Sequence, residues 1–181
     1  MYNDFNNETD RSLKKAKAHS KFDEFKKWIP SIIILPIALY WTFNPDDLGI
    51  LRGANLIIHE GGHGVFMFFG KFLHILGGTL MQILIPSLIF FYFLQNNYRT
   101  GMQVSLLWLG HNFIDISIYV SDAQERALPL IGNLPKSSHD WWNLLQMFGI
   151  LEYDNEVGYL FYGLAVIVFA IAVIMPLITH N

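Results

Sequence analysis

A chain of 181 residues suffices for about one domain, yet this one is 52% hydrophobic and only 15% charged, against roughly 25% charged residues in a soluble globular protein. It has no cysteine, which excludes disulfides and thiolate metal sites and leaves His, Asp and Glu as ligands for a hard or borderline metal. The charge behind the net −3 lies mostly in the N-terminal arm and the loops, and the composition predicts an all-α, polytopic transmembrane helical bundle with the lipid bilayer, not nucleic acid, as its surroundings.

Residues 1–27 form a polar arm of mixed charge, with Phe22, Phe25 and Trp28 spaced for one helical face. A disordered start followed by a short helix on the membrane surface is expected; a plain solvated tail is the simpler alternative. The arm is not a cleavable signal peptide, because no small-residue cleavage site follows the first apolar run. From residue 28 to 181 the chain reads as one transmembrane helical domain.

Five spans are expected. The first covers 28–43, with Pro30 in its opening turn and Pro36 placed to kink it. An acidic turn at 44–49 leads to the second, 50–73. Gly77-Gly78 is expected to break the helix before a third span at 79–94, which holds Gln82 and Pro86. The fourth, 102–122, is the most polar, carrying His111, Asn112, Asp115, Tyr119 and Asp122. His111, Asp115 and Asp122 fall within about 40° of one another on a helical wheel. A loop of some thirty residues follows, 123–153, with an apolar Pro/Gly piece at 127–135 that invites re-entry into the membrane. Ser138 or Asp140 is placed to cap a short helix bearing Trp141 and Trp142. The last span, 157–178, is plainly apolar. The lysine-rich arm favours a cytoplasmic N-terminus, and a bacterial inner membrane is the expected setting.

The second span contains His59-Glu60-Gly61-Gly62-His63. Histidines four residues apart lie one turn apart on one helical face and can reach one metal ion. Glu60 projects about 100° round from His59, beside the ion, where it can take a proton from water. A pair of hydrogen-bonded core histidines is the bland alternative, but three ionisable groups within an apolar span are costly and mark a functional site by default. Zinc needs a third protein ligand. Counted along the helices, His59 and His111 lie at one depth, and His63 and Asp115 at another. Asp122 and His139 are preferred, because they bracket the long loop and a metal would clamp it; Asp115, His111 and Asp140 remain open. Gln82 reads more simply as an interhelical hydrogen bond than as a substrate-holding group.

The HEGGH pattern in an apolar helix, with Gly62 at the fourth motif position and Gly70 beyond it, resembles the site-2 protease family of intramembrane zinc metalloproteases. The resemblance covers roughly residues 50–90. It implies one Zn2+ on His59 and His63, Glu60 as general base, and hydrolysis of peptide bonds in membrane-embedded protein or peptide substrates. That family's third ligand lies in a downstream Asp-Gly pair, and none follows here. The alternative function is a non-catalytic metal-binding membrane scaffold or a metal-handling membrane protein.

Overall fold

The computed structural model describes Phe22 and residues 24–179. The arm before Phe22, with its expected disorder, and the two C-terminal residues lie outside the described part. Phe22, Glu24, Phe25 and Lys26 are helical, and the Lys26 ammonium sits 4.5 Å from the Phe22 ring centre. The chain is all-helical, with no strand among the described residues. Its main helices are α1 (Ile29–Phe43), α2 (Gly49–Phe66), α3 (Lys71–Gln95), α4 (Arg99–Ser121), α5 (Asp140–Phe148) and α6 (Asp154–Ile178).

Helix α4 is the centre. It packs against α1, α3, α5 and α6, and it is buried nearly all round, from Met102 to Val120. Its polar groups are matched inside the bundle. Gln103 donates to Ser31 Oγ at 2.8 Å and to the Ala172 carbonyl at 2.9 Å, tying α1, α4 and α6 together. The buried side chains of α6 recur at helical spacing, Ala165, Phe169, Ala172 and Met175, and make one stripe towards α4. Its other faces, with Ile167, Ile174 and Leu177, are exposed.

The motif helix α2 packs on α3. Gly70 separates them, at φ 90° and ψ 165°, a conformation that only glycine adopts without strain. The expected break at Gly77-Gly78 is not there: α3 runs through both. These glycines are instead the contact surface. A Cβ on Gly62 would overlap the Gly77 carbonyl, and one on Gly78 would overlap the His59 ring. Small residues that let two helix backbones touch and residues that interrupt a helix look alike in sequence.

The cap of α5 also differs from expectation. His139 holds the cap position, its Nδ1 accepting from the Trp142 amide at 3.2 Å, and Asp140 is the first helical residue. Two helical stretches are long and apolar enough to cross a membrane, Lys71–Gln95 and Leu151–Ile178. Helices α2 and α4 do not meet that measure, because they carry the polar groups described next.

Candidate metal centre

His59 and His63 lie one turn apart on α2, with ring centres 4.9 Å apart. Asp140 reaches them from the first turn of α5. Its Oδ2 stands 2.9 Å from His59 Nε2 and 3.2 Å from His63 Nε2. The three ligand atoms all lie within 4.8 Å of one another, a group able to hold a metal ion. Ligands of a tetrahedral zinc at ~2.0–2.1 Å stand about 3.4 Å apart, close to both Asp–His separations.

The hydrogen bonds behind the rings decide which nitrogens face the centre. His59 Nδ1 meets Gln82 Oε1 at 2.9 Å, and Gln82 Nε2 donates to Asp115 Oδ2 at 3.0 Å. A carboxylate only accepts, so the Gln82 amide is fixed with its oxygen towards His59. His59 must then donate from Nδ1. His63 Nδ1 likewise faces the His74 carbonyl at 2.8 Å, another pure acceptor. With both protons on Nδ1, both Nε2 lone pairs converge on the Asp140 carboxylate. Three electron-pair donors pointing at one place require a cation, either a proton added to a ring or a metal. Ligating histidines characteristically donate their other N–H to a carbonyl or carboxylate in this way. Two neutral imidazoles and one carboxylate, with no thiolate, suit a catalytic zinc with an open position.

Asp140 is anchored by Tyr119, whose hydroxyl accepts from the Asp140 amide at 3.1 Å and donates to Oδ2 at 3.3 Å. Glu60 is half-buried, makes no ion pair or hydrogen bond with the described residues, and lines a cleft of about 730 Å³ beside the centre. One wall of that cleft is α2, from Gly49 to His63. The facing wall is the 127–135 segment, through Leu128, Leu130, Ile131 and Leu134.

The preferred third ligands stand elsewhere. Asp122 accepts from the amides of Ala127 and Leu128 at 2.8 and 3.0 Å, and lies 3.4 Å from His139 Nε2. His139 is buried; burial lowers its pKa, and the Asp122 charge opposes this only in part. One ring nitrogen caps α5 and the other faces Asp122, so neither is turned to the motif. Asp122, at the end of α4, and His139, at the cap of α5, face each other rather than the motif. Asp140, one of the open alternatives, is the acid that stands beside both motif histidines.

His111 also lies apart. Its Nδ1 accepts from Asn55 at 2.9 Å and its Nε2 donates to the Leu48 carbonyl at 3.1 Å. His111 thus stands opposite Asn55, one turn before His59, and not at the depth of His59. Asp115 joins the site indirectly, through Gln82 and through Arg52 Nε at 3.1 Å. Gln82 makes the interhelical bond expected of it. Sequence reasoning missed Arg52 and His74. Arg52 is seven residues before His59 and so shares its face, a signal available in the sequence; His74 contributes its backbone carbonyl, which no side-chain pattern reveals. No family model, curated protein or solved structure matches the chain.

Proposed function

We propose that this chain is an integral-membrane zinc metallopeptidase that hydrolyses peptide bonds of membrane-embedded substrates. The observation that carries this reading is the convergence of His59 Nε2, His63 Nε2 and the Asp140 carboxylate on one point, with Glu60 beside it on an open cleft. A zinc ion bound there supplies Lewis acidity, acidifying water and polarising a carbonyl. Glu60 accepts the proton of the attacking water and returns it to the leaving amine. Gln82 and the His74 carbonyl hold the two imidazoles in their ligating tautomer. The apolar side chains of the 127–135 segment offer a surface to an apolar chain.

The bilayer setting rests on the outward faces of the helices. Only 33% of the apolar window of Lys71–Gln95 and 22% of that of Leu151–Ile178 is buried, whereas the core helix of a soluble protein would be mostly buried. Ile33, Leu88, Phe91 and Ile167 are among the large apolar side chains left exposed, and lipid would cover them at no cost. In this setting α1, α2 and α4 complete a five-span bundle, with their polar groups turned inward.

The test is metal analysis of protein purified in detergent, followed by proteolysis of apolar peptides. One zinc per chain and cleavage abolished by Glu60→Gln are expected. Stoichiometric zinc with a cleavage pattern unchanged in Glu60→Gln would contradict the catalytic role and leave a metal-stapled scaffold.

A further inference from the structure

The cleft has a cationic group that the reaction above does not use. Among the described residues lining it, Arg52 is the sole Lys or Arg. Its side chain is 38% exposed, and its Nε lies 3.1 Å from Asp115 Oδ1. A guanidinium has five N–H donors, and the terminal amino groups of Arg52 have no other partner among the described residues. That edge presents two parallel N–H bonds, the geometry that grips a carboxylate in bidentate fashion. The lining is polar along α2 and apolar along 127–135, and the partly exposed guanidinium is open to an incoming acceptor. Arg52 also stands at a defined remove from the chemistry. Seven residues bring it within about 20° of the face of His59 and about 10 Å along the helix. An extended peptide advances about 3.3 Å per residue, so the gap spans about three residues. Between the two positions the α2 wall has no side chain at Gly53, where a Cβ would meet open space. The facing wall is apolar, through Leu130, Ile131 and Leu134.

Building on the metallopeptidase reading, we propose that Arg52 is a specificity-determining residue that binds a carboxylate of the substrate about three residues from the scissile bond, so that the preferred substrate is an apolar extended chain bearing one carboxylate at that distance. Two sources share this chemistry, a free C-terminus and an acidic side chain. Asp115 holds the guanidinium at the cleft wall and leaves its outer edge for the substrate.

The test is binding to full-length, zinc-loaded Glu60→Gln protein in detergent micelles. Three probes are used: an N-acetylated apolar hexapeptide with a free C-terminal carboxylate, the same peptide as its C-terminal amide, and that amide with one internal aspartate. At least one carboxylate-bearing peptide is expected to bind about tenfold more tightly than the neutral amide, as charge-assisted pairs do. Which of the two does so identifies the source. Adding Arg52→Gln should reduce the preference to less than about twofold, and adding Arg52→Lys should keep part of it, since a point charge replaces the fork. The comparison among peptides needs no substitution at Arg52, so a variant that fails to fold does not decide the outcome. Equal binding of all three peptides, absence of binding, or a preference that survives Arg52→Gln would overturn the proposal. A carboxylate preference without any cleavage by the wild-type protein would instead overturn the peptidase reading and leave the carboxylate site standing.

Discussion

Replacing Asp140 by asparagine keeps the shape of the centre and removes the negative charge set between two imidazole lone pairs. Zinc binding should fall by at least about 100-fold, because an amide oxygen is a poor substitute for a ligating carboxylate; titration with a competing chelator measures it. Gln82→Ala tests the support behind His59. The ring loses the acceptor that fixes its Nδ1 proton, and zinc affinity should drop by about 10–100-fold, with Gln82→Glu restoring part of it. If Gln82→Ala left affinity unchanged, the assigned tautomers would be wrong. The motif itself is readable because helix periodicity is local. Asp140 is harder: it lies 81 residues from His59, and local spacing says nothing about which acid a long loop returns to the motif. Asp122 opens that loop and His139 lies within it, but they face each other, and their hydrogen bonds go to backbone amides of 127–128 and of Trp142.

At the scale of elements, the glycines of α2 sort into two kinds that the sequence does not distinguish. Gly62 abuts the Gly77 backbone, whereas a Cβ at Gly61 or Gly64 would meet open space. Gly62→Ala should therefore force α2 and α3 apart and cost about 1–3 kcal/mol. Gly61→Ala should be neutral or stabilise by up to about 1 kcal/mol through helix propensity. Thermal unfolding in detergent ranks them, and equal effects would contradict the close contact. The long loop gives a second prediction. Asp122→Ala removes the acceptor for two amides and should expose residues 127–135 to limited proteolysis while zinc binding persists. Existence and order of the helices were legible from the apolar runs, and 28–43 nearly coincides with α1. The α2–α3 boundary was not, because the helix ends at Gly70 inside an apolar stretch, whereas Gly77-Gly78, which resembles a break, is packed against a neighbour.

At the scale of the molecule, α4 is the polar element and also the buried one, while the apolar elements face outward. That inversion is costly in water and natural in lipid. The proposed five-span arrangement with a cytoplasmic N-terminus predicts that the turns near Asp46 and Asn96 face outward and the 123–153 loop inward. The chain has no cysteine, so single cysteines report this directly. Asp46→Cys and Asn96→Cys should react with a membrane-impermeant thiol reagent in intact cells, and Lys136→Cys only after permeabilisation. The proposed five-span arrangement and the candidate metal centre are linked, because α5 returns from the end of α4 to bring Asp140 to His59. The account therefore stands most directly on zinc content measured on purified wild-type, Asp140→Asn and Asp122→Asn proteins. One zinc per chain in the wild type and in Asp122→Asn, with loss in Asp140→Asn, is the predicted result. Zinc lost from Asp122→Asn but kept by Asp140→Asn, or a wild-type protein that binds none, would contradict it.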